Sequence, residues 1–165
     1  MTTFSVRNTS TAVVPAPRQA IWDLLADPST LAALTPLVTS IEANGDRWRW
    51  NMTGIRALGI CVAPTFTERM TLRPTEHIGF RHDPPSGTDE RASAEGTYDL
   101  ADVDGGTSLS IDITISVDLP LPRMARGAVE KVMAATMART GERFAANLYE
   151  RLGLDPADLA PLAIS

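Results

Sequence analysis

The chain has 165 residues, 44% of them hydrophobic and 21% charged, enough to bury the core of one domain. Fifteen Lys+Arg against twenty Asp+Glu give a formal charge of −5, and the scattered basic residues form no phosphate-tracking run, so no nucleic-acid partner is expected. Cys61 is the single cysteine, which excludes an intrachain disulfide, a thiolate zinc site and a Cys-x-x-Cys redox pair, and points to a reducing, cytoplasmic setting.

Met1 to Arg7 lacks the basic-then-apolar pattern of a secretory signal, and no run approaches membrane-spanning length, so membrane insertion is not expected. Phe4 to Val14, rich in Thr, Val and Ser, predicts a first strand that breaks at Pro15-Ala16-Pro17. Pro17 then opens a short helix with Ala20, Ile21, Leu24 and Leu25 on one face. Asp27-Pro28-Ser29 stops it, and Ser29 or Thr30 is expected to cap a second helix through Leu31, Ala32 and Leu34 before Pro36.

Six strand-like runs follow: Val38–Ala43, Arg47–Thr53, Val62–Leu72, Ile78–Asp83, Arg91–Leu100 and Thr107–Leu119. Turn residues separate them at Asn44-Gly45-Asp46, Gly54 to Gly59, Arg73-Pro74-Thr75, Pro84 to Gly87 and Asp102 to Gly106. Connections this short predict an antiparallel meander. Cys61, inside the apolar run Leu58 to Ala63, is expected to be a buried, inert thiol. Between Leu109 and Leu119 every odd residue is apolar and every even one polar, the mark of a half-buried strand. From Pro122 to Leu152 the period changes, with Val129, Val132, Met133, Met137, Phe144 and Leu148 at spacings of three and four, which predicts one long amphipathic helix. The fold class is therefore α+β: a curved antiparallel sheet of about seven strands around a long C-terminal helix, with two short helices after the first strand. Residues 1–153 read as one ligand-binding domain and 154–165 as a tail.

This order, with Val14-Pro15-Ala16-Pro17 leading into Ile21-Trp22-Asp23-Leu24-Leu25-Ala26-Asp27-Pro28, resembles the START-like helix-grip superfamily (SRPBCC), in particular its polyketide cyclase/dehydrase-like branch. Glu95-Gly96-Thr97-Tyr98-Asp99-Leu100 followed by Gly106-Thr107-Ser108-Leu109, and the Pro-rich entry to the last helix, extend the resemblance from Val6 to Leu152. It implies a cavity between sheet and helix that takes a hydrophobic or aromatic small molecule. Lipid carriers, hormone sensors, cyclases and co-chaperone domains share this architecture, so fold alone does not decide among them.

The residues agree with such a chamber. Trp48, Trp50 and Met52 fall on one strand face, Phe66 and Met70 on the next, then Ile78 and Phe80, Tyr98 and Ile113, facing Val132, Met133, Thr136 and Met137 of the helix. The plainer alternative is that these side chains simply pack the core. Two ionisable residues interrupt the apolar faces: Glu68 between Phe66 and Met70, and His82 beyond Phe80. Closing the hairpin at Arg73 to His77 sets Glu68 opposite His82, as an acid/base pair, a grip on a ligand hydroxyl, or a structural ion pair. With Tyr98 they are the catalytic candidates. Arg69, Arg81 and Arg91 fall on the outward parity. No residue spacing suggests a metal site or a nucleotide-binding loop, so no metal or cofactor is expected. The loops Gly54 to Gly59, Asp83 to Gly87 and Leu119 to Pro122 are expected at one end, as a mouth.

Carriage of a small hydrophobic ligand is the leading expectation. An aromatase/cyclase-type enzyme using the same cavity and a co-chaperone-type interaction module are the alternatives, and a homodimer is compatible with each.

Overall fold

The structure is a computed structural model that describes residues 1–159 and 163–164. Its elements run β1 (Thr2–Val14), α1 (Arg18–Leu25), α2 (Pro28–Leu34), β2 (Val38–Asn44), β3 (Arg47–Met52), β4 (Ile55–Ala57), β5 (Ile60–Val62), β6 (Thr65–Arg73), β7 (His77–His82), β8 (Ala92–Val103), β9 (Gly106–Leu119), α3 (Arg126–Arg151) and β10 (Ala163–Ile164). The main sheet has the order β10-β1-β9-β8-β7-β6-β3-β2, with β4 and β5 forming a hairpin of their own. Every described pairing is antiparallel. Seven long strands and the C-terminal helix make the helix-grip architecture that the period switch predicts.

The alternation of β9 explains its central place. Its odd residues face inward, and its register with β1 runs unbroken from Thr2 opposite Leu119 to Val14 opposite Thr107. The inward faces of the sheet join α1, α2 and the C-terminal half of α3 in one core that includes Ile21, Leu25, Leu31, Ile78 and Leu148. Each such side chain, fully buried, contributes roughly 1.5–3 kcal/mol. Polar bonds fix the helix ends: Asn147 Nδ2 donates to the Leu34 carbonyl at 2.9 Å, and the Arg126 guanidinium lies 5.6 Å over the Phe4 ring.

Thr107 is wholly buried at the start of β9, and its hydroxyl donates to the Ala16 carbonyl at 2.8 Å, tying the sheet to the entry of α1. Thr107→Val keeps the shape and orphans that carbonyl, so it should cost about 1–2 kcal/mol, measured by urea denaturation. Thr107→Ser should restore most of it. An unchanged midpoint for the valine variant would show that this bond contributes nothing.

Several local expectations are corrected. The cap of α2 is Asp27, whose carboxylate accepts from Thr30 N at 2.8 Å with Pro28 in the first turn; Ser29 and Thr30 already lie inside the helix. The segment read as a loop at Gly54 to Gly59 contains β4 and the turn to β5, with Leu58 and Gly59 both at positive φ, so the long strand begins at Thr65 and not at Val62. Cys61 is exposed, because alternation within this separate hairpin turns it outward. The last helix starts at Arg126 after a single 3-10 turn at Arg123–Ala125, which leaves Met124 96% exposed. The tail docks in part: Ala163 and Ile164 pair with Thr11 and Ser10 along the edge of β1.

Candidate functional site

The concave face of the sheet is built from alternate residues of β3, β6, β7, β8 and β9. Trp48 and Trp50 project from β3, Phe66, Glu68 and Met70 from β6, Ile78, Phe80 and His82 from β7, and Tyr98 from β8. Trp50 stacks on Phe66, with ring centroids 6.0 Å apart and planes 10° from parallel. Phe80 and Tyr98 meet at 5.4 Å and a 59° tilt. Such aromatic surfaces suit flat apolar ligands.

Burial divides the residues expected to line the chamber into two groups. Trp48, Trp50, Phe66, Met70, Ile78 and Phe80 are buried, Ile78 completely, and act as core. Met52, Tyr98, Ile113, Val132, Met133, Thr136 and Met137 keep accessible surface. On α3 this second group lies three, four, seven and eight residues beyond buried Val129, on the same helical face. The middle of that face, and Ile111 to Ile115 opposite, are therefore less tightly covered than the ends, where Leu109, Phe144 and Leu148 on one side and Phe4 and Val129 on the other are buried.

Glu68 is the polar centre of this surface. Its strand neighbours are Trp48 on one side and His82 on the other, and it is 2% exposed. Burial pushes its carboxyl up to about 8, the nearby Trp50 indole opposing the shift. The indole N–H is the polar neighbour of the carboxyl, but Trp50 Nε1 and Glu68 Oε2 reach good hydrogen-bond geometry neither with each other nor with another described residue. Burial, and then the Glu68 carboxylate, hold the Tyr98 hydroxyl well above the usual tyrosine range.

The hairpin register places Glu68 and His82 opposite each other, yet the imidazole bonds elsewhere. His82 Nε2 lies 2.9 Å from Glu90 Oε2, and Glu90 also accepts from Thr67 N and Thr67 Oγ1 at 2.7 Å each. The cause is the end of β7 at His82, which leaves the Thr67 N–H without a ladder partner until the Glu90 carboxylate fills the gap. An acid/base pair of Glu68 with His82 is thus replaced by a Thr67–Glu90–His82 cluster and a Glu68 whose polar neighbours are the Trp50 indole and the Tyr98 hydroxyl. Glu90 sits beyond a Pro/Gly loop with no periodicity, so only a polar partner for buried Thr67 could have pointed to it.

On the outer face, Asp83 bonds Arg47 and Arg69, and His77 bonds Asp99, as outward parity requires. No three His, Cys, Asp or Glu side chains converge as a metal site among the described residues. The β4–β5 hairpin, the segment 83–91 and Leu119 to Pro122 all follow strand ends on one side of the sheet, where the mouth is expected. Two surface depressions lie apart from Trp50, Glu68 and Tyr98. One, of about 490 Å³, is lined by Met1, Thr2, Thr3, Arg123 and Arg126. The other, of about 430 Å³, lies between α2 and β2. Neither has the aromatic lining of the concave face.

Comparison with known proteins places this geometry. A family model described as polyketide cyclase / dehydrase and lipid transport matches residues 5–152. No curated protein matches the sequence. Among solved structures, a conserved protein from Geobacillus kaustophilus superposes with a TM-score of 0.66 at 18% identity, over 90% of this chain and 95% of that one. The Zhui aromatase/cyclase from Streptomyces sp. R1128 gives 0.58 at 18%, over 91% and 94%. The di-domain ARO/CYC StfQ from the steffimycin biosynthetic pathway gives 0.63 at 11%, over 91% of this chain and 51% of that one, so the present chain spans about half of it. At these identities the likeness is one of fold. No helix among the described residues is long and apolar enough to cross a membrane.

Proposed function

The chain belongs to the polyketide cyclase/dehydrase and lipid transport family, and on that premise we propose that it binds a small hydrophobic or aromatic molecule between the concave face of the sheet and α3. The observation that carries this reading is the pattern of burial. Both ends of the interface between sheet and helix are closed by buried side chains, whereas the apolar residues at its middle keep accessible surface. A face with no use for a ligand would gain by burying Ile113, Val132 and Met133 completely.

The test is thermal unfolding against a library of flat and branched apolar compounds. A true ligand at about a hundredfold excess over its Kd should raise Tm by about 9 °C. Met133→Trp, which adds bulk at the middle of the α3 face, should weaken that binding about tenfold or more with the helical CD signal retained. A library in which no compound moves Tm would overturn the proposal.

A cyclase-type reaction in the same space is the second reading, and Glu68 favours it. A carboxyl whose pKa is near 8 is protonated at neutral pH and able to donate a proton to a bound carbonyl. Turnover of a polyketide-type substrate that falls in Glu68→Gln while binding is kept would support it; binding with no turnover leaves carriage as the function.

A further inference from the structure

We infer that Trp50 Nε1 and Glu68 Oε2 form a subsite for one neutral hydroxyl group carried on the apolar skeleton of the ligand. This rests on the reading that the concave face binds a small molecule. Both side chains are more than nine-tenths buried, on neighbouring strands and on the same face, and the two polar groups approach each other without Trp50 Nε1 or Glu68 Oε2 completing a hydrogen bond of good geometry among the described residues. Buried polar atoms are nearly always hydrogen-bonded, so two orphans side by side mark a place where a partner arrives from outside the chain.

The chemistry of the two atoms selects the group. An indole N–H only donates, whereas a carboxyl oxygen accepts when ionised and donates when protonated. A hydroxyl has one proton and two lone pairs. Set between them, it accepts from Trp50 and pairs with Glu68 in either ionisation state. An ammonium group would leave the indole N–H unmet. A carboxylate or phosphate would meet Glu68 with no cation to offset it, since Arg47, Arg69 and Arg81 lie on the outward parity and the His82 imidazole is held by Glu90. An ether or ketone oxygen only accepts, and so is served only while Glu68 is protonated. The Tyr98 hydroxyl, close enough for Glu68 to influence it, adds a further polar group beside this position.

The experiment compares β-naphthol, its methyl ether and naphthalene by ligand fluorescence, above and below the Glu68 midpoint. The expected result above it is a Kd for β-naphthol about tenfold lower than for the other two, the scale of a net hydrogen bond. Glu68→Leu should abolish the preference over the methyl ether while naphthalene stays bound, and Trp50→Phe should reduce the preference over naphthalene independently, which covers a variant that fails to fold. Equal affinity of the wild-type protein for all three would overturn the hydroxyl subsite and leave the apolar chamber standing. Loss of the preference in neither variant would overturn it as well. Failure of all three to bind, together with the silent library described above, would remove the chamber and this subsite with it.

Discussion

Glu68→Leu is expected to make the protein more stable, and the gain should grow with pH. The carboxyl titrates at about 8 in the folded chain against an ordinary value of 4.5, because burial disfavours its charged form. Between these two values the folded state keeps a proton that the unfolded state has released. Linkage then makes wild-type stability fall as pH rises from about 4.5 to about 8, and level off above. The total loss is about 5 kcal/mol at most, a large share of the 5–15 kcal/mol that typically holds a domain folded. Leucine at this position removes both the desolvation cost and the orphaned oxygen, so its stability should be nearly flat across that window. Urea denaturation of both proteins through the window measures it. Parallel pH profiles would show that Glu68 is hydrated in the folded state. A residue so costly in the fold is retained where it serves a ligand, which links this prediction to the subsite with Trp50.

Gly96→Ala should produce the largest loss. Gly96 lies mid-strand in β8, paired with Ile113 on one side and Phe80 on the other. A methyl group built on it would stand 1.9 Å from the Asp112 carbonyl oxygen and 2.9 Å from its carbon. Both obstructing atoms are backbone of β9, so no side chain can rotate away, and the strands must separate. The cost is at least at the top of the usual range for overpacking, about 3 kcal/mol, or about 10 °C in Tm. Gly141, within α3, has open space where its methyl would go, and Gly141→Ala should add about 1 kcal/mol by helix propensity. The two substitutions are chemically identical and should move Tm in opposite directions. Equal shifts would contradict the close approach of β8 and β9.

The hairpin of β6 and β7 shows how far local pattern reaches. Parity and the turn at Arg73 to His77 are enough to set Glu68 opposite His82, and the structure has that register. They do not decide what the imidazole bonds, because Glu90 approaches from a segment whose path depends on where β7 ends. Trp50 Nε1 was likewise invisible as an orphan: whether an indole N–H finds a partner depends on every side chain around it, and alternation reports only the face it occupies.

The sequence by itself determined the seven long strands, the helices and their inner faces, but not the separate β4–β5 hairpin. The two-residue period of β9, the change to helical spacing in α3 and the Pro and Gly breaks are local properties, each set by backbone geometry within a few residues. Tertiary structure alone decided the exposure of Cys61, the capture of His82 by Glu90, the close approach at Gly96 and the orphaned Glu68 Oε2. Each of these depends on atoms far apart in the chain meeting at ångström distances. Hydrophobic periodicity carries no information at that scale, because it specifies which side of an element is buried and leaves open which groups it will touch.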